Sequence, residues 1–309
     1  MEYVGIQSQI RKNNIFSVIL LIAFPLLLIG MVYAFLFFTV DNISEQTNQT
    51  FVQVLPFILL GTIVWFLIAW MSHSAIIRMA TGASPLERKE NMRVYNILEN
   101  LCIANGLTMP KLYIIDDTSL NAFASGLGSG SYAISLSSGI IDKLTDDELE
   151  GVIAHELAHI RNRDVRLIII SIIFVGIFAF IAEIAFRSLR FVGGGRSKNG
   201  KASGMIILVA IVVSAVCYLI SQLLSFGISR SREFMADAGS AEMTKRPYSL
   251  ASALRKIAAD PAIEAVESRD IAQLFIENPK PSAHGFSWDN LFATHPPIQK
   301  RIEVLEQFV

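Results

Sequence analysis

The sequence predicts a membrane α-helical fold with four apolar helices, joined to an α+β domain that carries a small sheet. The first observation is that 52% of the 309 residues are hydrophobic. The mean hydropathy of +0.49 is too high for an ordinary soluble domain of this size. The second is that the apolar residues are gathered into long runs. The third is that the polar segments after the second and fourth runs show both helix and strand signals.

Each apolar run reaches or approaches the length that crosses the hydrocarbon core of a bilayer, about 20 residues. The runs are Ile15–Val40, Val54–Met71, Leu167–Phe186 and Met205–Ile228. They lack the period-2 alternation of barrel strands, so we expect them to be helices. The first run is too long for a cleaved signal peptide, and no small-residue cleavage site follows it, which favours a membrane anchor.

The runs divide the chain into four parts. We expect a transmembrane hairpin in residues 1–72 and another in residues 167–228, and residues 73–166 and 229–309 as two parts of one soluble domain. The loop Asp41–Thr50 has no basic residue, whereas Lys and Arg flank the first hairpin, so the soluble domain is predicted to be cytoplasmic. The loop of the second hairpin is strongly basic. Its runs therefore either span, with topology set by the first hairpin, or form a buried or re-entrant pair.

Local signals predict the elements of the soluble domain. Ser84-Pro85 predicts the start of a helix that ends at Gly106. Strands are predicted over Lys111–Asp116 and Tyr132–Ser137. Thr145–Glu148 is a capping box, which predicts another helix start. After the fourth run, helices are predicted over Ser229–Met243, over Pro247–Ala259 and from Thr294 onward, the last with Ile298, Ile302 and Leu305 on one face.

The run His155-Glu156-Leu157-Ala158-His159 lies on the helix that follows the capping box. Residues four apart share a helix face, so His155 and His159 can hold one metal ion. Glu156 would stand beside the metal, take a proton from a zinc-bound water and later give it to the leaving amine. Only five histidines occur in the chain, so two at this spacing around a glutamate are rarely a coincidence. The pattern predicts a zinc-dependent hydrolase with one Zn²⁺ per chain.

A catalytic zinc site needs a third protein ligand. Asn162 and Val165 stand where an extended pattern would need Gly and His, so a downstream carboxylate is expected. Glu183 is one option, although it lies at the far end of an apolar run. Glu233 lies on a predicted helix past the fourth run, with Asp237 one turn on, and could bind the metal while Asp237 orients a ligand histidine. Alternatively, these two acids form a solvated face with neighbouring arginines.

Two long motifs, His155–His159 and Ser229–Asp237, resemble those of the HtpX group of membrane zinc metalloproteases, which are relatives of the eukaryotic CAAX prenyl proteases. The resemblance covers most of the chain, including an apolar hairpin before the first motif and another between the two. Asn121–Ala124 and His295-Pro296 also match shorter family patterns. The pairing of the two long motifs is the specific part of the resemblance.

The resemblance implies a zincin-like catalytic domain with an HExxH helix, in which Glu233 is the third zinc ligand and Asp237 supports the ligands. It also implies a multi-pass protein of the bacterial cell inner membrane with a cytoplasmic catalytic domain. Such an endopeptidase would cleave damaged or misfolded membrane proteins. Its partners would be membrane-protein or peptide substrates and the lipid bilayer.

The resemblance also implies roles for the shorter motifs. Asn121, Ala122, Phe123 and Ala124 would form an edge strand that pairs with an extended substrate through main-chain hydrogen bonds. The alternative interpretation of this stretch is a plain turn. His295 would stabilise the developing oxyanion as a hydrogen-bond donor. The alternative is an ordinary histidine at a helix start.

Other function classes are weaker. The net charge of −1 gives no indication of nucleic-acid binding. A catalytically silent membrane scaffold would have no need for Glu156 between the two histidines. Cleavage inside the bilayer is disfavoured because four charges follow the motif and place it at or above the interface; they are Arg161, Arg163, Asp164 and Arg166. Oligomeric state is not predicted.

Overall fold

The structure is a computed structural model that describes residues 6–39, 45–192, 208–220, 230–258 and 296–307. It divides into two compact units. Unit 1 contains Met1–Ile15, Ser72–Ile169 and Ile228–Val309, and unit 2 contains Phe16–Met71 and Ile170–Gly227.

The described residues form helices and a single small sheet. The helices are α1 (Ile6–Thr39), α2 (Glu45–Thr81), α3 (Met92–Asn105), α4 (Ser138–Lys143), α5 (Asp146–Asn162), α6 (Asp164–Val192), α7 (Leu208–Ile220), α8 (Arg230–Thr244), α9 (Pro247–Ile257) and α10 (Ile298–Glu306). The strands are β1 (Ser84–Pro85), β2 (Lys111–Ile115), β3 (Ala122–Ser125) and β4 (Ala133–Ser137). Helices with a small sheet agree with the predicted class.

The prediction of a helix start at Ser84-Pro85 is wrong, because these residues form the short edge strand β1. Helix α3 begins at Met92, where the side chain of Asn91 accepts a hydrogen bond from the amide of Val94 at 3.0 Å. A Ser-Pro pair suits a helix start, but an edge strand also tolerates proline, since no ladder N–H is needed there. The predicted end is confirmed, with Gly106 capping α3 at a left-handed φ of 64°.

The sheet has the strand order β1-β2-β4-β3. Strand β4 runs parallel to β2 and antiparallel to β3, which lies at an edge. Alternate residues of the strands form a buried face that belongs to the hydrophobic core of unit 1, among them Leu112, Ile134 and Leu136. The two predicted strands are β2 and β4, and the predicted edge segment Asn121–Ala124 overlaps β3 over Ala122–Ala124.

Helix α5 lies in the core of unit 1, and α3, α8 and α9 contact it. Helix α8 approaches α5 closely because Gly239 has no side chain; a Cβ there would lie 2.7 Å from the Cβ of Ala158. The hydroxyl of Ser240 donates to the carbonyl of Gly151 at 2.7 Å and locks the same contact. This close crossing positions the first turn of α8, which contains Glu233, beside the histidines of α5.

The predicted capping box at the start of α5 is confirmed. The Thr145 side chain accepts from the amide of Glu148, and the Glu148 carboxylate accepts from the amide of Thr145 at 2.8 Å. The same carboxylate also accepts from Lys256 Nζ and from Ser252 Oγ, each at 2.7 Å. Glu148 therefore joins the start of α5 to α9.

Acid should weaken this joint. Burial alone would raise the pKa of Glu148, but the hydrogen bonds from Lys256, Thr145 and Ser252 outweigh it and lower the pKa from 4.5 to about 2. Because the folded-state pKa is depressed, the stabilisation is complete above about pH 4.5 and is lost as the pH falls toward 2. A shift of this size corresponds to about 3 kcal/mol at most.

The measurement is the melting temperature of wild type and Glu148→Gln in detergent from pH 7 down to pH 3. We expect the variant to melt lower at pH 7 and the difference to shrink steadily below pH 4.5. A difference that stayed constant over this range would show that the ionised carboxylate does not stabilise the joint.

Unit 2 contains the apolar helices. Two helices of the described chain are long and apolar enough to cross a membrane, Ile10–Phe38 and Thr47–Thr81. No residue in the most apolar window of the second helix is buried in the protein. Phe57 and Leu60, for example, are 73% and 60% exposed. This is the surface expected of a lipid-facing helix.

The expectation of four apolar membrane helices is corrected to two among the described residues. The third predicted run lies in α6, whose apolar side chains pack inside unit 2. Phe174 stacks on Phe24 at 4.8 Å between ring centroids and on Phe66 at 5.8 Å. Protein packing therefore accounts for part of the apolar character that suggested a span. The fourth run is described only over Leu208–Ile220, which is an apolar helix, and the rest of that run lies outside the described residues.

Candidate metal centre

The three residues predicted to hold the metal lie together in unit 1. His155 and His159 are one turn apart on α5, and Glu233 is in the first turn of α8. The Nε2 atoms of the two histidines are 3.1 Å apart. The carboxylate oxygens of Glu233 lie 3.7 Å from Nε2 of His155 and 3.6 Å from Nε2 of His159. All three side chains are buried.

This arrangement fits a zinc ion. Tetrahedral zinc with ligand bonds of about 2.0–2.1 Å places neighbouring ligand atoms about 3.3 Å apart, close to the three distances. Two imidazole nitrogens and one carboxylate oxygen form a known catalytic zinc set, and here these atoms all lie within 4.8 Å of one another. The alternative ligand Glu183 is 56% exposed and pairs with Arg187 one turn on.

A carboxylate stands behind each histidine. Nδ1 of His155 lies 3.0 Å from Oδ1 of Asp237, and Nδ1 of His159 lies 3.1 Å from Oδ2 of Asp164. Such carboxylates fix the orientation of the imidazole rings and increase their basicity. Asp237 was predicted for this position, whereas Asp164 was interpreted only as a charge near the bilayer interface.

The position of Asp164 is set by the end of α5. Arg163 has a left-handed φ of 62°, which ends the helix, so that the next residue lies beside His159. The buried Asn13, from the start of α1, donates to the carbonyl of Asn162 at 2.9 Å and to the carboxylate of Asp164. A carboxylate just after the helix that carries the histidines was the available signal for Asp164. Nothing in the local pattern of the sequence indicates Asn13.

Arg301 on α10 is a second residue that sequence reasoning missed. It is completely buried and donates to both oxygens of Asp237, from Nε at 3.0 Å and from Nη2 at 2.8 Å. Its Nη1 lies 3.4 Å from Glu233. Arg301 lies between Ile298 and Ile302 on the apolar face of α10, and a cation at such a position indicates a buried carboxylate partner.

The electrostatics of the centre favour positive charge. Burial alone would lower the pKa of His155, but the carboxylates of Asp237 and Glu233 outweigh it and raise the pKa to about 9. Burial would raise the pKa of Asp237, but Arg301 outweighs it and lowers the pKa. Carboxylates therefore dominate the surroundings of the His155 imidazole, as a site for a divalent cation requires.

Glu156 lies beside the metal-ligand set and is 1% exposed. Burial raises its pKa, and the imidazoles of His155 and His159 oppose this shift. Its carboxyl group accepts a hydrogen bond from the backbone amide of Ala124 on β3. The Oε1 atom makes no hydrogen bond within the described residues, so one oxygen remains available to a water molecule.

The predicted substrate segment, Asn121–Ala124, runs next to Glu156 along the edge of the sheet. Phe123 pairs with Ser135 in antiparallel register, and the amide of Ser137 donates to the carbonyl of Asn121 at 3.0 Å. In an antiparallel ladder, alternate residues turn their backbone groups to the partner strand. The backbone groups of Ala122 and Ala124 therefore point toward the outer edge of the sheet. His295 lies outside the described residues.

The fold and the site together define a membrane metallopeptidase. A sequence profile described as "Peptidase family M48" matches residues 88–309. The chain belongs to this family.

Full-length relatives agree with this assignment. The chain is 56% identical to a protease HtpX homolog from Bacteroides fragilis, with 100% of both chains covered. It is 34% identical to a protease HtpX homolog from Lactobacillus helveticus, covering 99% of this chain and 100% of the relative.

A crystal structure of S. mikatae Ste24p is similar with a TM-score of 0.48 at 20% identity, covering 96% of this chain and 66% of that chain.

Proposed function

We propose that the chain is a zinc-dependent endopeptidase of the bacterial inner membrane that cleaves damaged or misfolded membrane proteins on the cytoplasmic side. The observation that carries the proposal is the buried cluster of His155, His159 and Glu233, with Glu156 beside it. A zinc ion held by these ligands would polarise the scissile carbonyl and lower the pKa of water. The cytoplasmic side is supported by the basic residues that flank the first hairpin.

Glu156 is the proposed general base and acid. Its Oε1 atom can take a proton from a water molecule, and the carboxyl group can then donate it to the leaving amine. The Ala124 amide and the helix hold the carboxyl group in place, so little reorganisation is needed. Asp237 and Asp164 keep the two imidazoles turned toward the metal.

Substrate is proposed to bind as an added strand along β3. The outward carbonyl groups of Ala122 and Ala124 can accept hydrogen bonds from an extended peptide, whereas their amides donate within the chain to Asn121 Oδ1 and to Glu156. Because Ala124 also contacts Glu156, a peptide paired there would have a bond within reach of the base. An extended segment is available in an unfolded protein and rare in a folded one, which accounts for selectivity toward damaged substrates. His295 is proposed to donate a hydrogen bond to the oxyanion.

The experiment uses the full-length protein in liposomes with a membrane protein whose cytoplasmic domain has been destabilised by mutation. We expect cleavage within that domain, loss of cleavage with a zinc chelator, and recovery when zinc is restored. The folded parent of the same substrate is the control and should be cut much more slowly. Equal cleavage of both, or cleavage that survives chelation, would contradict the proposal.

A further inference from the structure

A cleft lies on the face of the sheet opposite the hydrophobic core of unit 1. It is formed by β2, β3 and β4 together with the last turns of α2, and it holds about 320 Å³ of empty space including solvent at its mouth. The residues that matter for its chemistry are Arg78, Lys111, Tyr113, Ser125 and Ser135. None of them takes part in the proposed peptide-bond hydrolysis.

The cleft carries positive charge without a matching carboxylate. Arg78 and Lys111 both line it, and no acidic residue is among its lining residues. Neither cation forms an ion pair with any residue in the part of the chain that the structure describes. Arg78 is held in position by Tyr113, since its Nη1 donates to the tyrosine hydroxyl at 3.4 Å and its guanidinium lies 5.5 Å from the ring centroid.

The wall of the cleft supplies hydroxyl groups. Ser135 is 2% exposed and Ser125 is 7% exposed, yet neither hydroxyl makes a hydrogen bond with the described residues. Both hydroxyl oxygens are accessible from the cleft that they line, so each can donate to water or to a ligand there. Two hydroxyl donors beside a guanidinium and an ammonium group match the oxygens of a tetrahedral anion.

We propose that this cleft binds a phosphate group. Arginine suits the recognition because its planar fork of donors matches phosphate oxygens, and lysine adds a point charge. A carboxylate ligand has only two oxygens, so it would leave some of the hydrogen-bond donors of the cleft without an acceptor. An occupant would connect the end of α2 to Ser125, the last residue of β3, and would stabilise the strand that we propose pairs with substrate.

The phosphate can belong to a phospholipid or be free in solution. Arg78 follows Met71, the last residue of the second apolar run, by seven residues. At 1.5 Å per residue this is about 10 Å along α2. The polar headgroup layer extends about 5–8 Å beyond the hydrocarbon core, so a lipid headgroup is within reach of the arginine side chain.

The test is calorimetric titration of the full-length protein in an uncharged detergent and phosphate-free buffer. One titrant is inorganic phosphate, and the other is a short-chain phosphatidylglycerol kept below its micelle concentration. We expect saturable binding that is absent with chloride at equal ionic strength. Arg78→Gln and Lys111→Gln should each weaken it about tenfold, the effect of losing one charge-assisted hydrogen bond.

Arg88→Gln is the matched control, since Arg88 is exposed, pairs with Glu99 and lies outside the cleft. It should bind as wild type does. Lys111 is exposed, so its variant keeps the test valid if Arg78→Gln does not fold. Tighter binding of the lipid identifies a headgroup as the source, and equal or tighter binding of inorganic phosphate identifies a free ion. Absence of binding by both, or equal binding by all variants, overturns the proposal.

Discussion

Glu156→Gln is expected to reduce peptide cleavage by at least about 100-fold while the protein keeps its metal. The substitution removes only the ability to take and return a proton, because glutamine has nearly the same shape and does not coordinate the metal in the proposed site. General acid–base catalysis contributes about 10²–10⁴-fold to a rate, so turnover should fall by that factor. The carbonyl of glutamine can still accept the hydrogen bond from Ala124, so the helix and strand should stay in place.

The measurement compares kcat and metal content in wild type, Glu156→Gln and the control Glu150→Gln. Glu150 lies on the same helix, five residues before the ligand His155. Its side chain is 29% exposed. The control should retain normal turnover and one metal ion. If Glu156→Gln cleaved at the normal rate, another group would have to be the base. If it lost the metal, the loss of activity would say nothing about proton transfer.

Elements defined by local chemistry could be predicted from the sequence. Thr145 and Glu148 are three residues apart, and the capping box they form is a short-range interaction that the structure contains. The spacing of His155 and His159 required only a helix to bring them together. Glu233 was left as one of two candidates, because nothing local to α8 says which helix it contacts.

Residues that act across long distances in the chain could not be predicted in this way. Asn13 contacts Asp164 from 151 residues away, and Arg301 contacts Asp237 from 64 residues away. Neither pair leaves a periodic pattern. Arg301 is nevertheless a cation on an apolar helix face, and that conflict between pattern and residue type is the kind of signal that marks a buried functional group.

The apolar runs show a different limit. Hydropathy reports that a segment avoids water, and it does not say whether lipid or protein covers it. The most apolar window of the second membrane helix has no buried residue, as a span should. The third run buries side chains such as Phe174 and Phe178. Both environments select the same residue types, so composition alone could not distinguish them.

Glu233→Ala is expected to lower zinc affinity by more than about 100-fold. Replacing a residue that only supports a metal ligand lowers metal affinity by up to about 100-fold, and loss of a ligand itself should cost more. The variant removes one of three ligands and leaves two histidines, which do not complete a catalytic site. The fold should survive, because the buried Arg301 keeps both of its hydrogen bonds to Asp237 and is not left as an unpaired charge. Loss of the metal would then reflect loss of the ligand and not unfolding.

Zinc affinity is measured by competition with a chromogenic chelator, and the zinc-dependent rise in melting temperature provides a second readout, since binding to the folded state stabilises it. Glu242→Ala is the matched control, because Glu242 lies on the same helix, is 50% exposed and pairs with Arg161. Wild type and control should both gain thermal stability with zinc, and Glu233→Ala should gain little. Wild-type affinity in Glu233→Ala would mean that another residue completes the site, and the proposed ligand set would be wrong.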